Sequence, residues 1–316
     1  MKDKLKRLPI VLSLILAAGL VFALGMSQPS IEPQSFQNEA EAEPLPPEEP
    51  QPPSRAELVA RALVEAYPRR VLRAEFRNGD WAVLLRDTWF YYAEGRMLPQ
   101  GLRDRASEYS PIAFYNYVSE LPPWTVPSEE QINRFRGVNN ERAVRRPRAN
   151  YFFDTLYRAH NRNEAYERVK TLRFLGHQVM VHYAILEDLS LIEEQIHAAA
   201  RTDPQVRTWI NNINSMVGWN WRNIAGTQSR SFHSYGVAID ILPRSTGGRA
   251  IYWLWAGSDW WNIPYERRYH PPDVVIKIFE SYGFVWGGKW TFFDAMHFEY
   301  RPEVIVLNGM ELSPLR

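Results

Sequence analysis

Between Leu8 and Ser54 the chain has no lysine or arginine, and that gap limits what it can fold into more than any other feature. Lys2, Lys4, Lys6 and Arg7 come first, followed by an apolar run from Leu8 to Gly25 that only Pro9 and Ser13 interrupt. A basic head before about 18 apolar residues predicts an export signal or a single N-terminal membrane anchor in residues 1–25. Ala23-Leu24-Gly25 offers a small-x-small cleavage site, and no cysteine follows, which excludes a lipoprotein anchor. The charge order predicts that everything downstream lies outside the cytoplasm, in the periplasm or cell envelope. Residues 26–55 are rich in Pro, Glu, Gln and Ser. They hold too little apolar surface to pack and predict a disordered, partly extended linker. A packed body must therefore be built from about residue 56 onward.

Composition narrows the chemistry of that body. The 316 residues include no cysteine, so disulfides, thiolate metal sites and a cysteine nucleophile are all excluded. Any metal must be held by histidine and carboxylate. A net charge of +1, with no basic run beyond short pieces such as Arg145-Arg146, argues against nucleic acid as a partner. Twelve tryptophans exceed what a core of this size needs, and a surplus of aromatics is suited to clefts that grip sugars or peptides.

Residues 56–160 read as an N-terminal accessory region. Ala56–Tyr67 predicts a helix, and Asn78-Gly79 sits between strand-like segments, followed by strand-like residues on either side of Arg86-Asp87, a hairpin texture. Pro99–Arg148 is loop-heavy, with a short helix expected over Glu129–Arg136. From Asn150 to Arg201 the apolar residues Leu172, Leu175, Val179, Val181, Leu186, Leu189, Ile192 and Ile196 roughly follow a helical stripe. Asp203-Pro204 opens a further helix ending near Ser215. Met216–Arg222 and Tyr235–Leu242 read as strands, Pro272–Tyr282 as a helix stopped by Gly283, and Thr291–Tyr300 as containing a strand. No internal repeat is visible.

Two blocks carry the chemistry. Ser231 to Asp240 reads SFHSYGVAID, and Asp294-Ala-Met-His297-Phe-Glu299 follows. Together they supply two imidazoles and a carboxylate suited to a metal, plus a second carboxylate three residues before the last imidazole. That is the inventory of a metal-assisted hydrolase: three ligands, one open position and a base. His297 and Glu299 fall on one face of a strand, with Asp294 just before it.

These residues resemble the M15 family of zinc peptidases, the D-Ala-D-Ala carboxypeptidase and L-Ala-D-Glu endopeptidase group that acts on peptidoglycan stem peptides. Ser231, His233, Gly236, Ala238 and Asp240 match the first motif of the family, and Asp294 and His297 the second. The resemblance covers roughly residues 165–305. It implies an α+β fold, a small and mostly antiparallel sheet flanked by helices as in the M15 and Hedgehog-like domains, in residues 161–316 behind an N-terminal extension. It implies His233, Asp240 and His297 as ligands of Zn2+ and Asp294 as the base. Arg222, where the family keeps an arginine on a strand, is implied to bind substrate or the developing oxyanion. Ser231 is implied to bond substrate or a ligand carboxylate. Glu299, two beyond His297, is better placed to orient an imidazole than to act as the base.

His177 and His182, read as five apart on a helix, do not share a face, and His160, His197 and His270 read as core or surface residues, although His270 lies in a loop that could rim the site. Gly226–Arg230 reads as a mobile loop beside the cleft, and Trp253, Trp255, Trp260 and Trp261 as substrate wall or core in equal measure. Asp294 in place of glutamate, after Gly287-Gly288-Lys289-Trp290, resembles the endolysin-like L-Ala-D-Glu endopeptidases more than the D-Ala carboxypeptidases. Met296, where proline is frequent, and the N-terminal extension depart from that pattern. A non-catalytic zinc-containing binding module, as in Hedgehog, is the alternative from a different class.

Overall fold

A computed structural model describes residues 52–112 and 114–315. The export segment expected at residues 1–25, and the expected linker up to residue 51, lie outside the described residues. Among those described, no helix is long and apolar enough to cross a membrane.

The body opens with α1 (Arg55–Ala66), capped by Ser54, whose hydroxyl oxygen accepts from Glu57 N at 3.2 Å. It buries Val59, Ala60, Leu63 and Ala66 on one face. Next come β1 (Val71–Arg77), β2 (Asp80–Leu85), β3 (Thr88–Tyr91) and β4 (Leu98–Pro99), an antiparallel sheet in chain order. Asn78 and Gly79 both have positive φ, the backbone that a two-residue hairpin turn needs. α2 (Glu129–Glu141) starts on a reciprocal Ser128/Gln131 capping box, and α3 (Tyr151–Tyr157) and α4 (Arg162–Arg168) follow.

The helical stripe expected over 150–201 is interrupted in the structure. Val169–Phe174 and His177–His182 form a hairpin, β5 and β6. Leu175 and Gly176 turn it with φ of 47° and 85°. Val179 and Val181 satisfy a strand's period of two as well as a helical stripe, and their β-branches favour the strand. His177 and His182 therefore sit on a strand. Their odd spacing still places them on opposite faces.

α5 (Leu186–Thr202) and α6 (Pro204–Asn211) come next, the latter capped by Asp203 with Pro204 in its first turn. A second antiparallel sheet carries the site, in the order β7 (Ile213–Val217), β8 (Ala238–Pro243), β10 (His297–Tyr300), β9 (Phe284–Trp286). β7 ends at Val217, so Arg222 lies beyond the strand on which it was expected. α7 (Asp273–Ser281) and α8 (Pro302–Leu307) complete the chain. The architecture is α+β with small antiparallel sheets and helices.

One buried apolar cluster runs from Val59 to Tyr300, so residues 56–160 and 161–316 share a core. Phe298 of β10 stacks on Phe279 of α7 at 4.1 Å between ring centroids, and truncating such a ring costs about 3–5 kcal/mol. That packing fixes the strand from which His297 projects. Trp253, Trp260 and Trp261 pack with Phe293 in a separate buried cluster. Trp255 alone of the four tryptophans is well exposed.

Candidate metal centre

His233 stands in a single turn of 3-10 helix, Phe232–Tyr235. Ser231 caps that turn, its hydroxyl oxygen accepting from His233 N at 3.3 Å. Ser231 is buried, and its oxygen already has this backbone partner. Gly236 closes the turn with φ of 71°. A Cβ there would lie 2.8 Å from the Val169 side chain and 2.9 Å from His182 N. Only glycine lets the turn dock against β5 and β6, where His182 N donates to Gly236 O at 2.7 Å.

The other two ligand candidates are placed by sheet register. In the β8–β10 pair, His297 lies directly opposite Asp240. Side chains at such positions have Cβ atoms about 5 Å apart and meet on one face. One atom each of His233, Asp240 and His297 lie within 4.8 Å of one another. Asp240 Oδ1 is 2.8 Å from His297 Nδ1 and 3.2 Å from His233 Nε2, and those two nitrogens are 3.3 Å apart.

The outer nitrogens show why this donor set fits a cation. His233 Nδ1 faces Gly218 O at 2.7 Å, and His297 Nε2 faces Glu299 Oε2 at 3.1 Å. Each acceptor can hold a proton on the nitrogen it faces, so that a cation arriving between the rings finds the lone pair of the other once any proton there is displaced. Two lone pairs and a carboxylate oxygen then converge on one point, an arrangement that a cation between them stabilises. Two nitrogens and one oxygen with further positions open suit zinc.

The electrostatics of the metal-free protein agree. Burial alone would lower the His297 pKa, yet bonds to Asp240 and Glu299, and the charges of Asp240 and Asp294, hold it well above the usual range. Burial alone would raise Asp240, yet His233 and His297 hold it well below. Glu299 is likewise held below its ordinary value despite burial, through His297 and Arg301. The two carboxylates thus favour a positive charge on the imidazole between them, the sign that a cation would supply.

Asp294 enters from the turn before β10. Its backbone N donates to Gly287 O at 2.9 Å, and its carbonyl accepts from His297 N at 3.2 Å. A Cβ on Gly287 would lie 2.5 Å from Asp294 O, so this close approach also requires glycine. Oδ1 of Asp294 is buried without a hydrogen-bond partner. Burial pushes the carboxyl up to about 7, with His297 and Arg222 opposing the rise and Asp240 and Glu299 adding to it. A buried carboxyl that titrates near neutrality, with a free oxygen, can take and return a proton.

Arg222 has an exposed side chain. Its backbone N donates to Ser234 Oγ at 2.9 Å, and its carbonyl accepts from that hydroxyl at 2.8 Å. Gly226–Arg230 is tied at several points: Gln228 donates to Ala143 O at 3.2 Å, and Ser229 Oγ accepts from Arg148 N at 3.1 Å. Trp290 tilts its ring 5.4 Å from that of His297 and donates to Tyr115 Oη at 3.0 Å. His270 packs its ring 4.7 Å from that of Trp286. It lines an open groove of about 980 Å³ with Trp124, Trp209 and Tyr269, a groove that no metal-ligand candidate lines.

Sequence reasoning missed Tyr252 and Arg142. Tyr252 forms a β-bridge with Asp294. Burial and then the Asp294 charge raise its phenol pKa, and Arg142 and Arg222 pull it down. No motif marks either residue, because an isolated bridge across 42 positions leaves no local pattern.

Comparison with known proteins follows the same residues. A family model described as D-alanyl-D-alanine carboxypeptidase, of the M15 peptidases, matches residues 225–300. That span includes His233, Asp240, Asp294 and His297. A second model, described only as a domain of unknown function, matches residues 59–114. The peptidoglycan L-alanyl-D-glutamate endopeptidase CwlK of Bacillus subtilis (strain 168) is 32% identical over 76 residues, 23% of this chain and 40% of CwlK. The match thus spans less than half of that relative. No solved structure matches. The donor set and these matches resemble those of metallopeptidases. More particularly, residues 225–300 are similar to the M15-family peptidase domain.

Proposed function

We propose that the protein is an exported zinc peptidase that hydrolyses peptide bonds in peptidoglycan stem peptides. The observation that carries this reading is the convergence of His233, Asp240 and His297 within 4.8 Å, beside a buried Asp294 oxygen that lacks a partner. Zinc, when bound, supplies Lewis-acid polarisation of a carbonyl and acidifies water.

The chain's own residues do the rest. His233, Asp240 and His297 hold the ion, with Gly218 O and Glu299 fixing the orientation of the two imidazoles. Asp294 takes the proton of the attacking water and returns it to the leaving amine. Arg222, whose charge reaches Asp294, faces the substrate's negative charge. Ser231 contributes by shaping the turn that carries His233, and any contact with substrate would add to that role.

The scissile bond is L-Ala-D-Glu in this reading. Asp294 in the Asp-x-x-His setting supports it, as does the similarity to CwlK. A D-Ala-D-Ala carboxypeptidase is the second reading, favoured by the description of the matching family model. Removal of residues 1–25 on export, or their retention as an anchor, belongs to the same proposal.

Mass spectrometry of peptidoglycan digested by the purified protein tests the whole reading. Fragments cut between L-Ala and D-Glu are expected, and loss of a terminal D-Ala alone would select the carboxypeptidase. A protein that holds zinc and yields no fragment would instead be the binding module.

A further inference from the structure

Behind His297 runs a line of buried charged groups that ends in the N-terminal extension. Glu299 Oε2 meets His297 Nε2 at 3.1 Å, and its other oxygen, Oε1, accepts from Arg301 Nη1 at 3.2 Å. Arg301 Nε donates to Glu303 Oε1, and Glu303 Oε2 accepts from the Tyr67 hydroxyl at 2.7 Å. Tyr67 caps the C-terminus of α1, within the stretch that matches only a domain of unknown function. Every member is buried, Glu303 and Arg301 at 0% and 1% exposure.

Such a line is an expensive way to gain stability. Taking three charged groups out of water costs about as much as their mutual attraction returns, and apolar side chains of the same volume would serve as well. What the line does provide is direction. Glu299 alternates with Arg301 and Glu303 along the end of β10 and the start of α8. It can present an oxygen to His297 only if its second oxygen is held. Arg301 holds it, and its guanidinium also lies over the Phe232 ring, 4.9 Å from the centroid. Phe232 neighbours His233 in sequence, so one guanidinium braces both imidazole-bearing segments. Arg301 is in turn oriented by Glu303, and Tyr67 fixes the oxygen of Glu303 that Arg301 leaves open.

We infer that Tyr67 is a positioning residue for the metal centre: through Glu303, Arg301 and Glu299 it holds the His297 ring in its ligating orientation. The N-terminal extension thereby sets the metal affinity of the peptidase domain. This inference rests on the reading of His233, Asp240 and His297 as a zinc site.

Zinc affinity, measured on the full chain by competition with a chromophoric chelator, tests it without any peptide substrate. Partners behind a metal-bound histidine typically change affinity by about 10–100-fold, and Tyr67 acts three bonds further back. Tyr67→Phe, which keeps the ring, is expected to weaken zinc binding by roughly 3–10-fold on that scale. In a Glu299→Gln background, where the line is already cut, Tyr67→Phe should add less than twofold.

Tyr117→Phe serves as the control. It removes an equally buried hydroxyl, which donates to Glu280 and accepts from Trp286 N and bonds no member of the line, and should leave zinc affinity unchanged. Zinc binding by Tyr67→Phe within twofold of wild type overturns the inference. So does an equal loss in Tyr117→Phe, which would mark the effect as general destabilisation. A wild-type chain that binds no zinc overturns the metal-site reading itself, and the inference with it.

Discussion

Replacing Asp294 by asparagine should slow the enzyme and, in the metal-free protein, make the fold more stable at alkaline pH. The carboxyl sits at about 7 instead of its ordinary 3.8, chiefly through burial. Each pKa unit is worth about 1.4 kcal/mol, so keeping Asp294 ionised in the folded protein costs at most about 4 kcal/mol. The folded state keeps the proton up to about pH 7, whereas the unfolded chain releases it near 4. Stability therefore falls as pH rises through that window. Asparagine carries no such cost. The bonds that hold this turn use the Asp294 backbone and not its side chain, so the fold should survive the change. Thermal unfolding of chelator-stripped wild type and Asp294→Asn at pH 5 and pH 8 is the assay. At about 2–4 °C per kcal/mol for a body of this size, the variant should melt up to roughly 8–16 °C higher at pH 8. The gap should narrow at pH 5. Zinc-loaded Asp294→Asn should retain its metal and cleave muropeptides about 10²–10⁴-fold more slowly. Equal melting at both pH values, or wild-type turnover, would refute the assignment of Asp294 as a buried base.

Two further predictions concern groups away from the centre. His182 is buried and neutral: its Nε2 donates to Tyr157 O, Nδ1 accepts from Ala184 N, and burial lowers its pKa to about 4. Because the unfolded histidine protonates near 6.5, about 3 kcal/mol of stability should be lost as pH falls from 6.5 through 4. Urea unfolding should show that loss, and a flatter pH dependence in His182→Asn. Lys289 and Glu280 form a buried ion pair, joined by Tyr117. Lys289→Met leaves that carboxylate unpaired and should cost roughly 3–5 kcal/mol, most of it recovered in Lys289→Met/Glu280→Gln. A single variant as stable as wild type would contradict the pairing.

The three candidate ligands are legible in the sequence because each motif places its side chains by local geometry. A glycine-closed turn aims His233, and strand alternation pairs His297 with Glu299. What joins the motifs was not legible: the register that sets His297 opposite Asp240 is fixed by packing across the sheet. The β5–β6 hairpin is hard to tell from a helix by sequence because Leu172, Val179 and Val181 fit a helical stripe loosely and strands well. Its decisive signal, the Leu175-Gly176 turn, is only two residues long. Glu299, Arg301 and Glu303 do alternate visibly. Their meaning depends on Tyr67, which lies 236 residues from Glu303, beyond any local pattern.

The central claim is that His233, Asp240 and His297 form one metal site, and zinc stoichiometry of the wild type and the three single alanine variants tests it most directly. The account predicts about one tightly held zinc per wild-type chain, and a drop of at least 100-fold in affinity when any one of the three is replaced. A wild type that binds no zinc, or three variants that keep it as tightly as wild type, would contradict it.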